Sequence, residues 1–425
     1  MATSGSSAGA ALISLPVHAI AAGGDGVGRL ADGMTVFVPR TAPGDVARVD
    51  LVERKRRYAR GHLVELETAG HGRATPECPH YVTDDCGGCQ LQHVTYETQL
   101  AAKRRIVGDA IRRIGKRELD DPPIVPAAAR WGYRSKITLS VSADRRRIGL
   151  HPYDDPQAVF DLTECRIASE PLMDLWHRLR GHRTLFPDAV RSVVLREDRA
   201  GGLHVILRGG EAPYDATPLA RAVGAAAITY WWEPEGGAVR AIAGERRGFP
   251  ALAFAQVHQQ LANRIRSDAV DALGPVAGRT VWDLFGGVGD TARLLAARGA
   301  HVWSVDRDRS ATEWAQTQRP PEGAPAGSPH YVPARVEEVM HRLPEPDAVI
   351  LNPPRCGAER RVTETLARWG RRGLGARVIA YVSCDPATLA RDLRNLEPFR
   401  LAAVTAYDLF PQTSHVETLA VLEGA

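Results

Sequence analysis

The 425-residue sequence has no long apolar run, only six cysteines and a formal charge of only +4. Each shortage excludes a class of protein. A membrane-spanning helix needs about 20 consecutive apolar residues, and the longest apolar stretch near the start, AALISLPVHAIAA, is interrupted by Pro16 and His18. No Lys or Arg precedes that stretch, as one would in a secretory leader. The expectation is a cytoplasmic protein with no membrane partner and, by default, a monomer. Six cysteines in so long a chain cannot make a disulfide framework, and in a reducing compartment clustered cysteines point to metal or catalysis. The mild net charge hides two basic clusters: Arg54, Lys55, Arg56, Arg57 and Arg60, then Lys103, Arg104, Arg105, Arg112, Arg113, Lys116 and Arg117. Such bunching in the first third is the electrostatic footprint of a nucleic-acid partner.

With 44% hydrophobic and 24% charged residues the chain reads as a multidomain globular protein. Residues 1–11, rich in Ser, Gly and Ala without periodicity, read as a disordered tail. Over 12–68, short alternating runs (VHAIAA, MTVFVPR, DVARVDLVE) are separated by GGDG, ADG and APGD, which predicts a small OB-like β-barrel. Residues 69–248 read as an α+β domain. Its one clear helix spans Tyr96–Ile114, with Leu100, Ile106, Val107, Ile111 and Ile114 mostly on one stripe. After it, Trp131, Tyr133, Arg134 and Lys136 interleave rings and cations, a pattern that suits either base stacking or core packing. Residues 172–247 carry no legible motif. From 249 to 425 helices alternate with strands, with a helix expected over FAQVHQQLANRIRSDAVDALG, from Phe254, and a closing hairpin at LAAVTAYDLF and HVETLAVLE. This predicts a doubly wound, Rossmann-like sheet, mostly parallel, with antiparallel strands at its end.

Cys78, Cys86 and Cys89 are spaced C-x7-C-x2-C around Gly87 and Gly88, and Cys165 is the candidate for a fourth ligand. Four soft sulfurs suit zinc or an iron-sulfur cluster, and spacing leaves both open. In DLFGGVGD, Gly286, Gly287 and Gly289 allow a sharp turn against a ligand, and Asp306 stands at the end of the next strand, where a carboxylate can accept from ribose hydroxyls. An adenosine cofactor follows, without the G-x-G-x-x-G spacing of dinucleotide enzymes. NPPR (Asn352 to Arg355) ends another strand, as in S-adenosylmethionine methyltransferases that act on bases or amides. In ARVIAYVSCDPATLARD, Cys384 lies where a strand stops and Asp385-Pro386 starts a helix, at the end of the sheet where ligands bind. A thiolate there can add to carbon 6 of a pyrimidine and make carbon 5 nucleophilic. The carbon 5 proton then needs a base, and Glu417, at the start of the last strand, is the candidate.

FAQ, DLFGGVG, NPPR, YVSCDPATLARD and DLFPQTSHVETLAVL, in that order, resemble the RNA uracil-5-methyltransferase family. GGDGVGRLADGMTVFVPRTAPGD with the basic KRRYARG resembles its TRAM domain, so the likeness covers nearly the whole chain. It implies that Cys384 is the nucleophile and Glu417 the base, with cofactor contacts at Gln256, Phe285, Gly287, Asp290, Asp306 and Asn352. It also implies a 4Fe-4S cluster on Cys78, Cys86, Cys89 and Cys165, and an RNA substrate, ribosomal in preference to transfer RNA. The sequence departs from the family at three positions: Asn352 where Asp is usual, His258 where Asn is usual, and Gly286 where Cys is frequent. Two other readings stand beside this one. Cys356, just after NPPR, would suit a cytosine-5 RNA methyltransferase, and Asn352 would suit an RNA-binding protein with a degenerate methyltransferase domain.

Overall fold

The computed structural model describes residues 12–424 except 212–213, 225–226, 246–247 and 374. The expected tail over 1–11 lies outside the described residues. Strands β1 (Ile13–Ile20), β2 (Gly26–Arg29), β3 (Thr35–Val38), β4 (Val46–Arg54) and β5 (Tyr58–Thr68) close a barrel in the order β1-β2-β3-β5-β4. Alternate residues fill it, among them Leu15, Val36, Val38 and Val49, as the period-2 pattern requires. The barrel is docked on the rest of the chain. A Cβ added at Gly24 would sit 2.6 Å from Cβ of Gln90 and 3.3 Å from that of Ser414. Arg40 donates to the carbonyl of Tyr81 at 2.5 Å and lies over that ring at 3.6 Å.

The middle of the chain forms helices α1 (Pro79–Thr83) and α2 (Tyr96–Arg113), then β6 (Ile124–Val125), β7 (Lys136–Val141) and β8 (Ile148–Gly149). It continues through α3 (Glu170–Arg180), β9 (Val190–Glu197), β10 (Leu203–Gly209), α4 (Thr217–Val223), β11 (Ile228–Glu233) and β12 (Arg240–Gly244). Six of these strands make a sheet ordered β12-β11-β10-β9-β7-β8. Its strands are covered on both faces: Val193 and Leu195 pack on α3 and α4, while Val194 and Ile206 pack on Ala251. Strands buried on both faces lose the in-out alternation, which is why this region has no legible pattern in the sequence.

The remaining elements are α5 (Gln259–Asp271), β13 (Thr280–Leu284), α6 (Asp290–Ala297), β14 (His301–Asp306), α7 (Arg309–Thr317) and β15 (His330–Pro333). They are followed by α8 (Val336–Val339), β16 (Ala348–Leu351), α9 (Arg360–Arg371), β17 (Val378–Ser383), α10 (Pro386–Asn395), β18 (Arg400–Tyr407) and β19 (Glu417–Glu423). The sheet runs β15-β14-β13-β16-β17-β19-β18-β6. Its first five strands are parallel, and β19 is antiparallel to both its neighbours.

Three details differ from the sequence reading. β6 adds to this sheet beside β18, and Val107 and Ile111 of α2 share its core with Leu389 and Ala390 of α10. A helix expected in the central domain, and a short strand within its expected bounds that the sequence did not signal, therefore pack as part of the C-terminal one. The helix expected from Phe254 starts at Gln259, and the segment before it crosses between the two sheets. The basic run is only partly solvated: Arg104, Arg105, Arg113 and Lys116 are exposed, but Lys103 of α2 is fully buried, and Arg117, beyond its end, donates to the carbonyls of Leu393, Leu396 and Phe399. No helix among the described residues is long and apolar enough to cross a membrane.

Trp282, in β13, is fully buried and its indole N–H donates to the Pro344 carbonyl at 2.9 Å. Trp282→Ala should cost about 3–5 kcal/mol, seen as an earlier denaturant midpoint by circular dichroism.

Candidate active site

Two loops at the carboxyl ends of parallel strands build the floor of the site. After β13, Phe285 takes φ +63° and Gly287 φ +55°, so the chain turns with its amides directed inward. The Gly287 N–H donates to Asp306 at 2.8 Å, and the other Asp306 oxygen accepts from Asp308 N–H at 2.8 Å. Burial raises the Asp306 pKa, and these two hydrogen bonds oppose the rise. Gly286 is obligatory here, because a Cβ would meet Ser304 Oγ at 2.2 Å and Asp283 Oδ2 at 2.5 Å. The space that a side chain at 286 would need is taken by the Ser304–Asp283 hydrogen bond.

After β16, the Asn352–Gly357 loop is tied down at both ends. The Asn352 N–H donates to the Leu284 carbonyl, and Asp392 of α10 accepts from the Ala358 N–H at 2.8 Å and the Tyr381 hydroxyl at 2.6 Å. His258 caps α5, its ring accepting from the Leu261 N–H, so it performs there the helix-capping task an asparagine would also perform.

Cys384 and Glu417 are brought together by strand pairing. Ser383 on β17 lies opposite Thr418 on β19. Continuing that register sets Cys384 across from Glu417, and side chains opposite one another in an antiparallel pair point the same way. Both line one cavity of about 850 Å³. Gln256, Phe285, Gly287, Asp306 and Asn352 line it too. Asp290 does not line it: its carboxylate is taken by Arg199 and Arg266, so the structure does not bring this expected cofactor contact to the site.

The site is electrostatically unusual. Glu417 is fully buried, and desolvation pushes its pKa up to about 8 against a hydrogen bond from Gln256 and the charge of Arg355. Its Oε2 has no hydrogen-bond partner among the described residues. Cys384 is half-buried, and burial, with the neighbouring Glu417 charge, pushes its thiol up to about 11 while Arg355 pulls it down. A sulfur and a carboxyl on one wall can add to a planar ring and then take a proton from it.

The far end of the same cavity is lined by Cys78, Cys86, Cys89 and Cys165. All four thiols are free, and burial raises the pKa values of Cys86, Cys89 and Cys165, with the neighbouring cysteines adding to each rise. A soft, dry, all-sulfur donor set fits a thiophilic metal centre. Among the described residues, however, no group of three or more His, Cys, Asp or Glu is close enough to hold a metal ion. Between the two ends the walls carry Arg134, Lys136, Arg166, Arg307, Arg335 and Arg355, and the ring of Phe254 is 67% exposed. Of the ring-and-cation segment, Arg134 and Lys136 face the cavity, whereas Tyr133 packs among the cysteines. Arg307 and Arg335 were missed by sequence reasoning, and Phe254 and Arg355 entered only as parts of FAQ and NPPR with no role of their own, because isolated residues in loops carry no periodic signal.

Comparison with known proteins supplies the substrate class. Residues 334–424 match the family model described as tRNA (Uracil-5-)-methyltransferase, and residues 17–64 match the TRAM domain. An uncharacterised RNA methyltransferase of Thermosynechococcus vestitus is 32% identical over 97% of this chain and 98% of its own. The 23S rRNA (uracil(1939)-C(5))-methyltransferase of Halomonas elongata is 31% identical over 96% of this chain and 89% of its own. Among solved structures, the Pyrococcus abyssi tRNA (uracil-54, C5)-methyltransferase in complex with S-adenosyl-L-homocysteine superposes with a TM-score of 0.70 at 26% identity, covering 96% of this chain and 100% of that one. A barrel of the TRAM type, a methyltransferase sheet and these matches along the whole length agree: the chain belongs to the family of S-adenosylmethionine-dependent RNA uracil-5-methyltransferases.

Proposed function

We propose that the protein methylates carbon 5 of a uridine in large-subunit ribosomal RNA, in the cytoplasm, through a covalent adduct on Cys384. The observation that carries this reading is the shared wall: Cys384 and Glu417 face one cavity from adjacent positions on β17 and β19. Ribosomal RNA is favoured by the likeness along nearly the whole chain to 23S rRNA enzymes, 31% identical for that of Halomonas, and the Pyrococcus transfer-RNA enzyme shares the fold at 26%.

The Cys384 thiolate adds to carbon 6, and the ring's electron pair moves so that carbon 5 would attack a methyl group, whose S–C bond breaks with its electrons left on the departing neutral thioether. When bound, S-adenosylmethionine supplies that electrophilic methyl and a positive sulfonium charge that favours the Cys384 thiolate. Gln256, Phe285, Gly287, Asp306 and Asn352 hold the donor and the ring edge. Glu417 then takes the carbon 5 proton, the C6–S bond breaks as the C5–C6 double bond re-forms, and the thiolate is released. A base in a dry pocket is stronger than one in water, which suits removal of a carbon-bound proton. Asn352 removes one carboxylate from this wall but leaves the nucleophile and the base in place.

We also assign Cys78, Cys86, Cys89 and Cys165 to a 4Fe-4S cluster. A cubane binds one thiolate at each of four irons, so its ligands stand farther apart than those of a single ion, in keeping with four thiols around one end of a cavity. Methyl transfer moves no net electron, so such a cluster would tie Cys165 to the loop between Cys78 and Cys89, or position RNA.

Three outcomes test these assignments. RNA carrying 5-fluorouridine should trap a denaturant-resistant adduct on the native protein and none on Cys384→Ala; an unmodified native protein, by mass spectrometry, would overturn the mechanism, and 5-methylcytidine as the product would favour the reading motivated by Cys356. For the base, Glu417 raised to about 8 is protonated at lower pH and ionised above, so turnover should climb from pH 7 to 9. Glu417→Gln should lose that limb, with turnover lower by about 10²–10⁴-fold and methylated adduct accumulating. After anaerobic reconstitution, Cys86→Ser should bind less iron and acid-labile sulfide than the native chain, and zinc in place of iron on the native chain would refute the cluster.

A further inference from the structure

The turn between β18 and β19 carries no group used in the chemistry above, yet it is the most heavily tethered loop near the cavity. Lys103 of α2 is fully buried, ion-paired to the equally buried Asp408, and donates a second hydrogen bond to the Phe410 carbonyl at 3.0 Å. The Tyr96 hydroxyl donates to the other Asp408 oxygen at 2.7 Å and accepts from the Ala127 N–H at 2.8 Å. One turn along α2 from Tyr96, the Gln99 amide pairs with Gln412, donating to its side chain at 3.0 Å and accepting from its backbone N–H at 3.0 Å. The Gln412 carbonyl in turn accepts from the N–H groups of Gln90 and Leu91, directly after Cys89. The Tyr133 hydroxyl holds the Pro411 carbonyl at 3.0 Å.

Gln412 is kept at φ +69°, a left-handed conformation that a free turn would abandon. Nor is a buried charge pair efficient for stability alone, since apolar residues of similar volume often serve as well. What the tethers hold is the approach to Glu417. The Glu417 carboxyl has an oxygen with no partner among the described residues, and its recorded hydrogen bond is to Gln256. Its aim is therefore set mainly by the backbone that enters β19, which is the end of this turn.

We infer that Lys103, with Asp408, is a positioning residue that fixes the turn over residues 408–414 and thereby aims Glu417 at the carbon 5 proton. The inference rests on the proposed roles of Cys384 and Glu417, and it predicts a defect confined to the step those roles place last. Addition of the thiolate and methyl transfer need Cys384 and the donor site, neither of which Lys103 touches. Elimination needs the aimed carboxyl.

Lys103→Met and Asp408→Asn should lower kcat by about tenfold to a hundredfold, the scale of a small misplacement of a catalytic group. KM for S-adenosylmethionine should stay within about twofold of native. On uridine RNA with methyl-labelled donor, a denaturing gel should show methylated covalent adduct building up in these variants well above its level in the native protein. If Lys103→Met does not fold, as judged by circular dichroism, Lys103→Met/Asp408→Leu removes both charges and is read in the same way. Folded variants that turn over slowly without adduct, or that clear it at the native rate, overturn the inference while leaving the proposed mechanism standing. A native protein that traps no adduct on 5-fluorouridine RNA overturns both.

Discussion

The reaction centre depends on one strand insertion. β19 enters antiparallel between β17 and β18, and the pairing of Ser383 with Thr418 sets the nucleophile candidate beside the base candidate. The parallel part of the sheet delivers loops only at the ends of strands that all point one way. An antiparallel strand reverses this, so its first residue, rather than its last, reaches the ligand-binding end. A register slip of one residue would turn Glu417 to the opposite face and leave Cys384 without a partner. The tethers on the turn before β19 guard against such a slip.

Burial shapes the chemistry around that pairing. The same exclusion of water raises the Glu417 carboxyl and the Cys384 thiol. For the carboxyl this is an advantage, because a carboxylate denied its hydration holds a proton more tightly. For the thiol it is a handicap, which positive charge and a hydrogen bond to the sulfur offset. Arg355, which acts on both groups, lies on the exposed NPPR loop and is the cation this chain itself supplies.

How far the sequence could be read depended on what each residue has to satisfy. The barrel, the doubly wound sheet and the placement of Cys384 and Glu417 were legible, because period-2 alternation, glycine turns and a Cys-Asp-Pro strand exit each have a local physical cause. The central sheet was not, since Val193 and Val194 are both buried and so break the alternation. Lys103 misled for a related reason. In a run with Arg104 and Arg105 it reads as part of a basic cluster for a nucleic-acid partner, and its partner Asp408 lies more than three hundred residues away in the chain. Asp290, adjacent to the glycine turn, was expected at the cofactor, but Arg199 from the central sheet claims its carboxylate. Both surprises come from ion pairs between distant segments, which local patterns do not encode.

The docking of the barrel has a mechanical corollary. Gly24, in the turn after β1, packs directly on Gln90 beside the cysteines and on Ser414, three residues before the proposed base. Arg40 adds a clamp on the segment that includes Tyr81 and Cys86. The barrel is thus a bracket bolted to the frame, not a fishing line. Any RNA segment held on the barrel would therefore sit at a set span from the cavity mouth.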